Sequence, residues 1–163
     1  MLIRKAQDSD LQELLDIYNY EVLNGTATLD LAERTIEQQQ IWLKAHNILN
    51  HPLIVAVIDG KIAGYASLST YREKDAYFTT VELSVYVHPD FRRMGVATTL
   101  MEHIIGIARE DDTIHTIVSV ITAGNEASIK LHKRFGFEYC GKIRKVAVKF
   151  GKFLDIENYQ LMV

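Results

Sequence analysis

The stretch Val85-Tyr86-Val87-His88-Pro89-Asp90-Phe91-Arg92-Arg93-Met94-Gly95-Val96-Ala97 decides how the rest of the chain is read. Leading into it, Val81, Leu83, Val85 and Val87 alternate with Glu82, Ser84 and Tyr86, a period of two that defines a strand with one core face and one cleft face. Pro89 ends that strand and a basic turn follows. From Gly95 to Arg109, Val96, Leu100, Ile104, Ile105 and Ala108 recur at helical spacing. The first N–H groups of a helix lack internal partners and carry the positive end of its dipole. With small residues at Gly95 and Ala97 a phosphate can approach those groups closely, and Arg92 or Arg93 supplies charge. The segment reads as a pyrophosphate cradle; a structural turn with solvated arginines is the alternative that the pattern alone leaves open.

Working outward, Leu2 to Lys5 form a short strand, and Asp8 or Ser9 caps a helix carrying Leu11, Leu14, Leu15, Tyr18 and Val22. Asn24-Gly25 ends it, and Thr26 to Leu29 is a loop. Thr35 with Gln38 is a capping-box pattern, predicting a second helix with Ile36, Ile41, Trp42, Ala45 and Leu49. Leu53 to Ile58 is a β-branched apolar run, and Asp59-Gly60 predicts a hairpin to Lys61–Ser69. Tyr71 to Phe78 is a polar and aromatic loop. Ile114 to Ile121 is apolar enough for a central strand, Asn125 opens a short helix through Arg134 closed by Gly136, and the tail from Phe137 forms a hairpin around Phe150-Gly151-Lys152. The consistent layering is α/β (α+β): one domain over residues 1–163, a mixed, mostly antiparallel sheet with helices on both faces.

The 163 residues are 48% hydrophobic and 24% charged with a net charge of −3, enough apolar material for a core. That charge argues against a sequence-independent nucleic-acid binder, which needs a basic face. The lone Cys140 excludes an internal disulfide and a Cys-cluster zinc site; in an apolar strand it reads as a buried, inert thiol. His46, His51, His88, His103 and His115 show no ligand spacing, so no metal is expected. No apolar stretch approaches the roughly 20 residues of a membrane span. The start, Met1-Leu2-Ile3-Arg4-Lys5, does not look like a signal peptide, and a cytoplasmic protein is expected. Lys142, Arg144, Lys145 and Lys149, alternating with Ile143, Val146 and Val148, read as a solvated strand face.

Arg92-Arg93-Met94-Gly95-Val96-Ala97 is similar to the Arg/Gln-x-x-Gly-x-Gly/Ala signature of the GCN5-related N-acetyltransferase (GNAT) superfamily, and Asn125-Glu126-Ala127-Ser128 with Leu131 to Phe137 resembles its second cofactor segment. Ile17-Tyr18-Asn19, Thr26-Ala27-Thr28, Arg34-Thr35, Trp42-Leu43, Val81 to Pro89 and Lys149 to Asp155 resemble the phosphinothricin and methionine-sulfoximine N-acetyltransferase branch. The resemblance implies a GNAT-like fold with acetyl-CoA as cosubstrate. It implies pantetheine contacts at Val85, Tyr86, Val87, Asn125 and Ser128, and pyrophosphate contacts at Arg92, Arg93, Met94, Gly95, Val96, Ala97 and Thr98. Asn125 also suits a helix N-cap.

The family's general base falls at Glu82, beside the acceptor amine. An ammonium must lose a proton before it attacks a thioester, and a carboxylate can take it directly or through a water; a solvated or ion-paired glutamate is the plainer alternative. The resembling branch holds its acidic amino-acid substrate with arginine and aromatic residues in the loop that here carries Tyr71, Arg72 and Tyr77, since a guanidinium matches a carboxylate or phosphinate bidentately; an ordinary exposed loop arginine is the alternative. Thr26 and Thr28 add hydroxyl contacts. His132 stands where the superfamily commonly has the tyrosine that protonates the leaving thiolate; an imidazolium can donate near neutrality, and a packing role is the alternative.

The implied activity is acetyl transfer to the α-amine of a small amino acid or glutamine analogue, by direct attack in a ternary complex. A homodimer through the apolar C-terminal strands is expected. A protein N-terminus, polyamine or aminoglycoside is the alternative acceptor, and a non-catalytic acyl-CoA sensor is the alternative from another class.

Overall fold

The computed structural model describes all 163 residues. In chain order the elements are β1 (Leu2–Lys5), α1 (Leu11–Asn24), α2 (Ile36–Lys44), β2 (Leu53–Ile58), β3 (Lys61–Thr70), β4 (Thr80–Val87), α3 (Val96–Glu110), β5 (Thr116–Thr122), α4 (Glu126–Arg134), β6 (Glu138–Lys149) and β7 (Lys152–Met162). The strands form one sheet in the order β1-β2-β3-β4-β5-β7-β6. β4 and β5 run parallel and the other neighbours antiparallel.

Strand alternation sorts the core into two layers. On one face Leu53, Val55, Tyr65 and, half-buried, Tyr86 pack against Leu14 and Ile17 of α1 and Leu43 of α2. On the other, Ile54, Ala66, Leu68, Val81 and Leu83 lie beneath α3. The five apolar positions expected on α3 are all buried, with Met101 beside them. Each fully buried Leu, Ile or Val contributes about 1.5–3 kcal/mol relative to exposure. The Asp59-Gly60 turn closes β2 onto β3 with φ of 49° and 77°, the left-handed pair that a two-residue hairpin needs.

Several local expectations are corrected. Neither Asp8 nor Ser9 caps α1: Asp8–Asp10 form a 3₁₀ turn, and the buried Asp10 carboxylate accepts the Gln7 N–H at 2.8 Å. It also accepts both Arg4 amino groups at 2.7 and 2.8 Å, tying β1 to the start of α1. The capping box of Thr35 and Gln38 forms in both directions. The helix behind it stops at Lys44 and turns a different stripe inward. Ile41 and Leu49 are 71% and 80% exposed, while Gln39 and Leu43 are buried. Gln39 is drawn in because its Oε1 accepts from Arg34 Nη1 at 2.7 Å, and the positive φ of Asn47 and Leu49 rules out helix beyond.

Cys140 is exposed, because it sits on β6, the edge strand, beside the register shift at Tyr139/Gly141. Lys149 is not solvated: it is 3% exposed. Its register partner Lys152 places it on the sheet face of Ile143 rather than that of Lys142, and there its Nζ reaches the carbonyl of Thr28 at 2.8 Å.

Candidate active site

The site originates where two parallel strands part. β4 and β5 pair through Thr80↔Thr116, Val81↔Ile117 and Glu82↔Val118, and no further. Beyond that rung, Leu83–Val87 and Ser119–Thr122 line opposite walls of a cleft of about 670 Å³. β4 still pairs with β3 along its other side. Its cleft-facing edge therefore offers N–H and C=O groups with no strand partner, a surface suited to an extended, amide-bearing ligand.

At the mouth of the cleft, Gly95 opens α3 at φ 78°. A Cβ there would meet nothing within 4 Å, so the left-handed backbone, not crowding, calls for glycine. Arg92 and Ala97 line the cleft, and Arg92 is ion-paired to Glu21 of α1. Arg93, Met94 and Gly95 are exposed beside it and Thr98 is half-buried, whereas the Val96 side chain is core and offers its backbone alone.

Glu82 occupies the apex, on the last rung, facing α1 and α2 together with Ser84 and Tyr86. It belongs to none of the ion pairs. Burial raises its carboxyl above the ordinary 4.5. Directly across the sheet from it stands Ser69, whose Oγ is 2.8 Å from His46 Nε2, a pairing that no local pattern signals.

From the opposite wall, Asn125 caps α4 by accepting the Ser128 N–H at 3.3 Å, and both residues line the cleft with Leu131 and His132. His132 is buried against Phe137, with Nδ1 2.8 Å from the Ser128 carbonyl. Burial holds its pKa below the ordinary 6.5, against the partial opposing effect of that hydrogen bond. Near neutrality the ring is uncharged, donates through Nδ1 and presents a lone pair at Nε2.

The loop of Thr26 to Leu29 forms the third wall. Thr28 is buried, its hydroxyl engaged by Tyr18 at 2.9 Å and by the Asp30 N–H at 3.2 Å. The loop is clamped from the sheet: Thr122 Oγ1 donates to the Thr26 carbonyl at 2.6 Å and Lys149 Nζ to that of Thr28. Lys149 was not legible as a site residue, because its spacing matches an ordinary solvated strand. Arg72, Tyr71 and Tyr77 form a cluster of their own, with the guanidinium 5.2 and 5.7 Å from the two ring centres. The structure does not bring them to the cleft wall: they sit, largely exposed, in the segment between the end of β3 and the start of β4.

Residues 11–137 match the acetyltransferase (GNAT) family. The L-methionine sulfoximine/L-methionine sulfone acetyltransferase of Salmonella typhimurium strain LT2 is 36% identical, the match spanning 100% of this chain and 95% of that protein. The crystal structure of a ribosomal-protein-alanine N-acetyltransferase from Brucella melitensis superposes with a TM-score of 0.96 at 39% identity, covering 100% of both chains. A phosphinothricin acetyltransferase from Sinorhizobium meliloti, solved in complex with acetyl-CoA, gives a TM-score of 0.95 at 29% identity over 99% of this chain and 88% of that one. With a split β4–β5 pair, a glycine-opened α3 and relatives that match end to end, the chain belongs to the GNAT family and is an N-acetyltransferase.

Proposed function

We propose that this single domain, residues 1–163, transfers acetyl from acetyl-CoA to the α-amine of a small amino acid or glutamine analogue of the phosphinothricin, methionine sulfoximine and methionine sulfone type, a detoxifying reaction. The observation that carries the proposal is the unpaired, half-buried Glu82 at the apex of the β4–β5 cleft. The free β4 edge and the left-handed Gly95 suit the cosubstrate's extended amide arm and its pyrophosphate.

Val85, Tyr86 and Val87 hold the pantetheine by their backbone, with Asn125 and Ser128 across from them. The amides from Arg93 to Thr98, with Arg92, hold the pyrophosphate. When bound, acetyl-CoA supplies an acyl group activated as a thioester. Glu82 takes a proton from the acceptor ammonium, leaving a nucleophilic amine, and an N–H near Val85 stabilises the oxyanion that develops. Orientation in a ternary complex provides much of the rate without a covalent enzyme intermediate. His132 can donate a proton only as the imidazolium that burial disfavours, so at neutral pH the thiolate is met by another donor or by water. Arg72, with Tyr71 and Tyr77, binds the acceptor's acidic end from outside the cleft wall, and Thr26 and Thr28 bound the amine's side.

The acceptor class is supported by the names of the Salmonella and Sinorhizobium relatives. The name of the Brucella protein favours a second reading, a protein N-terminus. A homodimer is supported by the exposed Ile143, Val146, Val148, Phe150 and Phe153 on the terminal hairpin. The need for acetyl-CoA supports a cytoplasmic location, with no metal, membrane or nucleic-acid partner. The test follows free CoA with a thiol reagent across phosphinothricin, methionine sulfoximine, methionine sulfone, a polyamine, an aminoglycoside and an N-terminal alanine peptide. Release with the glutamine analogues is expected. Release with the peptide alone would establish the second reading, and cofactor binding without release on any acceptor would make the chain a sensor.

A further inference from the structure

Ser119 is 2% exposed, and its Oγ has no hydrogen-bond partner. Two other buried side chains carry an unpaired atom, Gln39 and Asn50, but each keeps a bond through its second polar atom, to Arg34 and to the Phe78 carbonyl. Ser119 has one polar atom, and that atom is the orphan. A hydroxyl stripped of water in this way is destabilising unless a ligand completes it.

Its place is the apex of the cleft. On β5 it follows Val118, the partner of Glu82 on the last β4–β5 rung, and it lines the cleft. It shares a face with Ile117 and Ile121, both core residues beneath the α3 side, and its register partner on β7 is the buried Tyr159. Glu82 belongs to the opposite face, with Tyr86 and the α1–α2 layer. A group seated at the apex thus has a carboxylate on one side of the sheet and an unpaired hydroxyl on the other. His132, on the hydroxyl's side, presents a lone pair and cannot fill the donor role in its neutral form.

We propose that Ser119 is a further catalytic residue, whose hydroxyl donates a hydrogen bond to the sulfur of the cosubstrate and stabilises it as a leaving thiolate. The inference rests on the acetyl-CoA reading above. As the amine nitrogen bonds to the carbonyl carbon, the C–S bond breaks with its electron pair on sulfur. The nitrogen gives up two protons in becoming an amide, the first to Glu82; one of the two ends on the sulfur and the other in solvent. Ser119 keeps its own proton throughout, because an alcohol is a weaker acid than the thiol it faces.

The test compares wild type, Ser119→Ala and Ser119→Thr. The thiol pKa of bound CoA is read from thiolate ultraviolet absorbance, and the affinities of CoA and of CoA lacking its sulfur atom are read by calorimetry. Ser119→Ala should raise the bound thiol's pKa by about one unit, corresponding to about a tenfold loss in thiolate affinity. The affinity for the sulfur-free analogue should be unchanged, and Ser119→Thr should restore the wild-type pKa. An alanine is at home in this apolar setting, so folding is not the obstacle. An unchanged thiol pKa would overturn the proposal, as would equal weakening of both ligands. A wild-type protein that bound neither ligand would overturn the acetyl-CoA reading itself.

Discussion

Glu82 concentrates the opposing demands on one residue. Burial without a cation raises its carboxyl, so it takes up a proton at a higher pH than a solvated glutamate does and is a better base when ionised. In the proposed role of general base, Glu82 works in its ionised form. As pH falls through the raised pKa, kcat/KM should decline with an inflection above 4.5, and this acid limb should vanish in Glu82→Gln. The same substitution should lower turnover at neutral pH by about 10²–10⁴-fold while leaving acetyl-CoA affinity nearly unchanged. Stability should move the other way. A carboxyl with a raised folded-state pKa favours the fold at low pH, and that contribution is lost as pH rises through the folded pKa. Glu82→Gln should therefore match or exceed the wild-type Tm at pH 7, as thermal melts at pH 4 and pH 7 would check.

At the scale of elements, the decisive feature is a strand pair that stops pairing. A continuous β4–β5 ladder would satisfy the backbone of both strands and leave no cleft; the parting after Glu82 exposes one edge of β4. α3 contributes a helix start whose geometry rests on Gly95. Gly95→Ala places a Cβ on a φ of 78°, a strain of about 1–2 kcal/mol, without a steric clash. A Tm lowered by several degrees and a raised KM for acetyl-CoA are expected. The cleft-lining loop of Thr26 to Leu29 is held by Lys149, whose pKa burial lowers against the opposing pull of Asp30 and Glu21. Lys149→Met removes a buried charge together with the clamp. Steady-state kinetics should show a several-fold higher acceptor KM, while thermal melting changes little.

For the molecule as a whole, the terminal hairpin leaves Ile143, Val146, Val148, Phe150 and Phe153 in water, and Val148 faces Phe153 across it on one side of the sheet. Sedimentation should give twice 18.6 kDa for the wild type, and Val146→Lys with Val148→Lys should return the single-chain mass. Much of the fold was legible in the sequence wherever its cause is local. The stripe of α3, the Asp59-Gly60 hairpin, the Thr35–Gln38 box and the alternation around Glu82 each follow from residues within a turn or two of one another. α2 was misphased because what turns Gln39 inward is Arg34, engaged through its side chain rather than through helical period.

The sequence by itself determined the elements, their order, the glycine that opens α3 and the strand face that carries Glu82, because periodicity and turn chemistry are written in neighbouring residues. Only the tertiary structure decided that β4 and β5 part at Glu82, that Lys149 is buried under the loop of Thr28, that Ser119 lacks a partner, and that Arg72 stands outside the cleft. These depend on what covers a face or pairs with an edge. The covering residues lie far away in the chain: Thr28 and Lys149 are 121 positions apart. No local pattern encodes which distant surface arrives, and packing settles it.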